Sequence, residues 1–419
     1  MNTTIINIGD ELLIGQVINT NAAKMSQMLT ANGFKVVNTL VVGDDADAIR
    51  QSINDSLMHS DVILITGGLG PTKDDITKKV LCDFFHSELY ENEEALENVK
   101  RHLAARGKSL TEINRQQAWV PRCCTMLNNV LGTAPAMWFE VPGTTPSKVL
   151  VSLPGVPFEM ENLMESVIIP RLHSHFQTGC IVNKNLLIHG IGESFLSDLI
   201  ESWETALPAN IRLAYLPRPG MTKLRLTARG DDQTVLHSQI DTAIASLYPI
   251  AGEYIVGEDF ETLPELLAHT MKTAGATLAV AESCTGGAIA SSLTALPGAS
   301  SYFRGGVVSY CNDVKMNSLG VRTSTLDTYS AVSEETVREM VCGVRERLNA
   351  DYAAATTGVA GPDGGTSENP VGTVWIGIAS DKKIITRRMV FPGRRAQIIE
   401  RACNEVFAML VQMVRENQK

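Results

Sequence analysis

Histidine is missing from the C-terminal part of this 419-residue chain, since all eight histidines lie at or before His269. A Ser-His-Asp triad contained within the region beyond that point is therefore excluded. The eight cysteines (Cys82, Cys123, Cys124, Cys180, Cys284, Cys311, Cys342 and Cys403) include no CxxC pair. Neither a zinc site nor a dithiol redox motif is indicated, and a reducing compartment is expected. Positive charge is scarce and scattered: 36 Lys and Arg face 46 Asp and Glu, a net charge of -10, with no basic stripe. Nucleic acid and anionic membranes are not expected as partners. No apolar run approaches the roughly 18 residues that a membrane span needs. The opening Met1-Asn2-Thr3-Thr4-Ile5-Ile6 lacks a basic stretch before an apolar one and reads as a first strand rather than a signal peptide, so a cytoplasmic location is expected. Internal repeats and low-complexity segments are also missing.

What is present is a folded globular chain, 44% hydrophobic and 20% charged, too long for a single core. Residues 1–165 alternate strand and helix signals. Thr4–Ile8, Phe34–Val42 and the continuous apolar run Asp61–Thr66 read as strands, and Asn19–Ala31, Ala46–Met58 and Asp74–Phe85 as helices. Residues 166–255 read as a small α+β module, a connector or dimerisation unit, and a homodimer is expected for want of another role for it. Residues 256–419 return to strand-helix alternation. The predicted fold class is α/β: two α/β domains with parallel-rich sheets joined by a small α+β module.

Two groups of residues carry chemistry. In the first, the run after Ile65 is Thr66-Gly67-Gly68-Leu69-Gly70-Pro71-Thr72, followed by Asp74-Asp75. Glycines let backbone N–H groups approach a phosphate, and a helix N-terminus favours its charge. Gly9-Asp10-Glu11 leaves the first strand at the same rim. Asp74, Asp75, Asp10 and Glu11 are therefore candidate ligands for a divalent cation, although acids in a first helical turn also serve as caps. Gly132-Thr133-Ala134-Pro135 and Leu153-Pro154-Gly155 add two more loops. In the second group, an apolar strand runs into Glu282-Ser283-Cys284-Thr285-Gly286-Gly287 and then a helix. Ser283 there is placed as a nucleophile or as an N-cap, with N–H groups near Thr285–Gly287 as an oxyanion site. Cys284 is a competing nucleophile. With no histidine, the base is Tyr310 or a desolvated Lys315. Gly358, Gly361, Gly364, Gly365 and Thr366 form a second glycine loop suited to phosphate or ribose, unless it is only a long hairpin connection. Arg395 is suited to phosphate or carboxylate.

The first group, across about 160 residues, resembles the molybdopterin-binding-like domain at the N-terminus of CinA proteins. The second resembles the C-terminal CinA domain, which is similar to nicotinamide mononucleotide amidohydrolase. The resemblance implies two hydrolyses in pyridine-nucleotide salvage. Nicotinamide mononucleotide (NMN) would give nicotinic acid mononucleotide and ammonia, with catalytic roles for Ser283, Tyr310 and Lys315, with Arg395 in the site, and with no cofactor. ADP-ribose would give AMP and ribose 5-phosphate with Mg²⁺ or another divalent cation. Ala136 stands where the family usually has glycine, and its methyl is expected to crowd a close backbone approach. Asp363 likewise replaces a common glycine. Two alternatives compete. In one, the amidohydrolase carries a non-catalytic pterin- or nucleotide-binding N-terminal domain. In the other, the chain is a competence-linked nucleotide-binding interaction protein.

Overall fold

A computed structural model of the chain describes residues 1–72, 75–176 and 179–418. It divides into two compact units, Met1–Ile181 with Arg229–Gln233, and Val182–Ala228 with Thr234–Lys419.

In the first unit the strands of the main sheet are β1 (Asn2–Ile8), β2 (Lys35–Val42), β3 (Val62–Thr66), β4 (Thr125–Leu127), β5 (Ala136–Val141) and β6 (Lys148–Leu153), beside a separate pair, Leu89–Glu91 with Trp119–Pro121. They form one sheet in the order β2-β1-β3-β6-β5-β4. The first four in that order are parallel, with Ile5 opposite Leu64 and Leu64 opposite Val151. The last two pair antiparallel. The sheet is therefore mixed rather than parallel throughout, because β5 and β6 are joined by a short connection that cannot hold a crossover helix. Alternating residues bury opposite faces. Ile5, Leu64 and Val151 pack with Met25 and Leu29 of α1 (Thr20–Ala31). Ile6, Ile63, Ile65 and Leu150 pack with Ile49 and Ile53 of α2 (Ala46–His59) and with Val80 and Leu81 of α3 (Thr77–Phe84). Each such fully buried side chain contributes roughly 1.5–3 kcal/mol. Helix α1 is capped by Asn19 and α2 by Asp45.

Helix α3 starts at Thr77, not at Asp74 as the sequence suggested. Asp75 turns back on its own loop and accepts from the N–H and hydroxyl of Thr72. The Thr77 N–H and hydroxyl are committed to the Gly68 and Gly67 carbonyls. With these donors committed, the helical bonds of α3 begin only beyond them.

The middle of the chain, most of it in the second unit, holds β7 (Cys180–Ile188), α4 (Glu193–Thr205), β8 (Ile211–Arg218), β9 (Met221–Gly230), α5 (Gln233–Ala251) and β10 (Ile255–Glu258). The strands make a four-stranded sheet in the order β8-β9-β7-β10. Beyond it come α6 (Leu263–Ala274), β11 (Leu278–Glu282), α7 (Ala288–Thr294), β12 (Phe303–Val308), α8 (Asn312–Leu319), α9 (Glu334–Arg347), β13 (Tyr352–Gly358), β14 (Thr373–Ala379), β15 (Ile384–Val390) and α10 (Arg395–Gln418). Their sheet runs β12-β11-β13-β14-β15 and is again mixed. Strands β12, β11 and β13 are parallel, while β14 and β15 return antiparallel.

In both large sheets the strand order reverses around one early strand, β1 in one and β11 in the other. Ligands of doubly wound sheets bind beyond the carboxyl ends of strands at such reversals. Helix α6 and the long α10 cover one face of the second sheet, and α8 with α9 cover the other. The close approach of α8 to α9 depends on Gly343, where a side chain would overlap the Leu319 carbonyl at the end of α8. Gly343→Ala is expected to cost about 1–3 kcal/mol of stability, read as a lower denaturation midpoint with unchanged slope.

Candidate active site

Ser283 sits directly after β11, and Lys315 lies in the first turns of α8. Lys315 Nζ lies 3.1 Å from Ser283 Oγ and donates to the Ser309 carbonyl at 2.8 Å. The lysine is 2% exposed and the serine 8%. Burial disfavours the ammonium and lowers the Lys315 pKa below its ordinary 10.5. Once neutral, this amine can accept the serine proton, and its bond to Ser309 keeps it aimed at Oγ. Cys284 is also buried, and burial pushes its thiol up to about 12. It therefore stays protonated and is the weaker nucleophile.

Tyr310 falls two residues beyond β12, is 61% exposed, and its hydroxyl accepts from Arg395 Nη2 at 2.8 Å. Among the described residues no hydrogen bond joins it to Ser283 or Lys315. The two candidate bases thus separate: Lys315 touches the nucleophile, and Tyr310 pairs with Arg395. Arg395 opens α10 and also donates through Nη1 to the Gly361 carbonyl at 2.9 Å. It ties Tyr310 to the loop between β13 and β14. That loop is a hairpin connection, as β13 and β14 pair antiparallel. Gly358 is required where a side chain would strike the Thr373 carbonyl. Gly361 and Gly364 take positive φ, and Gly365 packs by the Val371 backbone. Thr366 pairs within the loop with Asn369.

The expected oxyanion donors need correction. Gly286 N–H bonds the Ser283 carbonyl at 3.1 Å, and Gly287 N–H bonds the Glu282 carboxylate at 2.9 Å. The same carboxylate accepts from Ile289 and Ala290 at 3.1 and 2.8 Å. The helical donors are therefore consumed. Neither the Cys284 nor the Thr285 N–H bonds a backbone carbonyl among the described residues. The Thr285 hydroxyl is paired with that of Thr356 at 2.8 Å. Glu282 is easily missed in the sequence, because an acid ahead of a helix reads as ordinary capping.

In the first unit, a cleft of about 420 Å³ opens where β1 and β3 end. Glu11, Gly67, Gly68, Gly70, Asp75 and Gly155 line it. Gly67 has φ +109, and any side chain there would overlap the Ile8 carbonyl. Pro154 sits behind the rim, its carbonyl accepting the Thr66 hydroxyl at 2.9 Å. Gly132 and Thr133 do not line the cleft. Gly132 is locked in a buried network in which Asn98 donates to its carbonyl and its N–H donates to Asn129. Ala136 is fully buried in the core beside Leu127 and Trp138. Its methyl faces apolar neighbours, so the expected crowding of a ligand is overturned.

Asn7 and Asn21 also line the cleft, and neither was legible from spacing. Asn7 donates to the Leu40 carbonyl and Asn21 to that of Gly155, while the Oδ1 of each is buried without a partner among the described residues. They are acceptors suited to the hydroxyl or amino groups of a ligand. A second recess of about 310 Å³ shares Leu69, Gly70 and Asp75 with the cleft and adds Thr72, Lys78 and Trp119. Burial lowers the Lys78 amine to about 8, and it donates to the Gln116 and Gln117 carbonyls.

Among the described residues the anticipated metal ligands do not form a cage. Among the described residues no three His, Cys, Asp or Glu groups converge. Asp74 lies outside the described residues. Asp10 does not line the cleft and accepts from the Asp44 N–H. Glu11 and Asp75 do line it. One or two carboxylates with ligand phosphates suffice for Mg²⁺, so the donor set fits a phosphate-shared ion and not a protein-only one. Among the described residues no helix is long and apolar enough to cross a membrane.

A serine held against a buried amine in one unit, and a polar cleft at the strand ends of a doubly wound sheet in the other, define a two-site α/β protein. The chain belongs to the CinA family. Residues 4–174 match the model of the probable molybdopterin binding domain, 183–257 that of the damage-inducible protein CinA KH domain, and 260–414 that of the CinA C-terminal domain. A CinA-like protein of Flavobacterium psychrophilum is 41% identical over 419 residues, covering 100% of this chain and 99% of the relative. Another, of Cytophaga hutchinsonii, is 41% identical over 98% of each chain. The crystal structure of a competence or damage-inducible protein from Enterobacter asburiae is 35% identical, covers 37% of this chain and 99% of its own, and has a TM-score of 0.36.

Burial of Lys315 also bears on stability. Its folded pKa lies below the unfolded 10.5, so between those values the unfolded chain holds a proton that the folded chain lacks. Stability from this group therefore rises with pH across that window. Lys315→Met is expected to unfold at a higher temperature than the parent near neutral pH, with the gap narrowing as pH approaches 10.5. Calorimetric scans across pH check this.

Proposed function

We propose that the second unit is an amidohydrolase acting on nicotinamide mononucleotide. The observation that carries the reading is the 3.1 Å approach of Lys315 Nζ to Ser283 Oγ in a buried site. Neutral Lys315 takes the Ser283 proton as Oγ bonds the carboxamide carbon. The Cys284 and Thr285 N–H groups receive the oxyanion. As the C–N bond breaks, Lys315 returns the proton and ammonia leaves. Water, deprotonated by the same amine, then attacks the ester; Ser283 Oγ leaves and takes the proton from Lys315, releasing nicotinic acid mononucleotide and restoring the neutral amine. Arg395, which bonds Tyr310 and the Gly361 carbonyl, and the glycine loop Gly358–Thr366 hold the phosphate-bearing end in this reading.

For the first unit we propose ADP-ribose hydrolysis. Two recesses that meet at Gly70 suit a ligand with a diphosphate between two bulky ends. The unpartnered Asn7 and Asn21 oxygens suit ribose hydroxyls. Glu11 and Asp75 would hold a divalent cation, whose chemistry there is to neutralise developing phosphate charge. Both reactions would belong to pyridine-nucleotide salvage.

Ser283→Ala is expected to lower ammonia release from NMN by at least about 1,000-fold while leaving AMP release from ADP-ribose unchanged. Retention of most ammonia release would remove Ser283 as nucleophile. Arg395→Ala is expected to raise KM for NMN but not for nicotinamide riboside, which has no phosphate. AMP release is expected to stop in EDTA and return with Mg²⁺. Thermal stabilisation by ADP-ribose without any AMP would instead mark the first unit as a binder.

A further inference from the structure

Glu282 is the least exposed acid of the second unit, at 1%, and it stands immediately before the nucleophile. A buried carboxylate must be compensated by donors. Here three backbone N–H groups do so: Gly287 and Ile289 bond Oε2, and Ala290 bonds Oε1. An ordinary N-cap side chain sits at the helix boundary itself. In α7 the boundary residue is Gly287, at φ +101, which has no side chain to offer. The cap comes instead from five residues upstream and reaches across the whole nucleophile turn.

The rest of the turn is fastened to the same residue. The Glu282 carbonyl accepts the Ser309 N–H at 2.7 Å, and the Ser309 carbonyl holds Lys315 Nζ at 2.8 Å. Ser283 N–H bonds the Thr356 carbonyl at 3.0 Å, and the Ser283 carbonyl accepts Gly286 N–H. One residue thus clamps the far end of the turn through its side chain and the lysine-bearing side through its backbone. Three N–H groups of the turn and helix are withdrawn onto the carboxylate. Those that bond no backbone carbonyl among the described residues, of Cys284 and Thr285, lie beside Ser283.

We infer that Glu282 is a positioning residue. Its carboxylate fixes the turn that carries Ser283 against the start of α7, and it leaves the Cys284 and Thr285 N–H groups as the oxyanion donors. This rests on the reading of Ser283 as nucleophile, but not on the identity of the amide. In Glu282→Gln the side-chain amide must turn its NH₂ toward at least one backbone N–H donor. The turn then reopens and the free donors lose their aim.

The test is the rate at which a fluorophosphonate reagent modifies Ser283 in the full chain, tracked by intact mass, alongside NMN turnover. Glu282→Gln is expected to slow labelling by roughly 10–100-fold, to lower kcat by a similar factor with KM nearly unchanged, and to unfold within a few degrees of the parent. A merely structural role would lower the unfolding temperature and leave the labelling rate of the folded protein unchanged, and that result overturns the inference. Should Glu282→Gln fail to fold, Glu282→Asp keeps the charge but falls short of the helix donors, and it is judged by the same two readouts. Glu282-dependent labelling without ammonia release from NMN would sustain the inference and discard NMN as the substrate. A parent protein that is not labelled at Ser283 would overturn both the nucleophile and the inference.

Discussion

Lys315 cannot solvate its charge. Its amine lies in the protein interior between Ser283 Oγ and the Ser309 carbonyl, and the chemistry proposed for the second unit depends on that enclosure. Desolvation favours the neutral amine, which is the form that can take a proton from serine. The enclosure in turn depends on helix packing. Helix α8 is drawn close to α9 at Gly343, and the small alanines of β11 and β13 lie buried beneath. Stability and reactivity are thus opposed at one residue, which is common where a site needs a perturbed pKa.

The two units reach their sites by the same topological route. Each large sheet reverses its strand order around one strand, β1 or β11, and the loops leaving that edge carry the polar groups. The loops themselves differ. After β1 and β3, glycines at positive φ bring backbone close to an open cleft lined by carboxylates and orphan amide oxygens. After β11, a glutamate folds over the turn, and the site is closed around a hydroxyl and an amine. An open polar cleft suits a large phosphorylated ligand held by many weak contacts. A closed dyad suits one covalent step.

Between the two in sequence, the middle of the chain forms a four-stranded sheet with two helices and matches a KH family model over 183–257. The buried Glu405 shows how it coheres with the rest of the second unit. Glu405 of α10 pairs with His189, just after β7, and with Arg387 of β15. Its pKa is held below the ordinary carboxylate value by His189 and Arg387 despite burial. The module is joined to α10 by the His189–Glu405 hydrogen bond as well as by apolar packing.

The alternation of apolar strands and amphipathic helices, the absence of a late histidine, and the run Glu282-Ser283-Cys284 were all present in the order of residues. They were enough for an α/β class and for a serine that needs an unusual base. The choice of that base was not legible, because Tyr310 and Lys315 sit five residues apart and either could face Ser283. Helix α8 turns Lys315 inward against Ser283, while Tyr310 stays at the surface with Arg395. Spacing likewise could not show that Ala136 points into the core, that Asp75 folds back on Thr72, or that Glu282 consumes the helix donors. Local sequence determines which elements form and which chemical groups are available. Which of those groups meet, and in how dry a setting, is decided by packing between elements distant in the chain, and the pKa of Lys315 is a product of that setting.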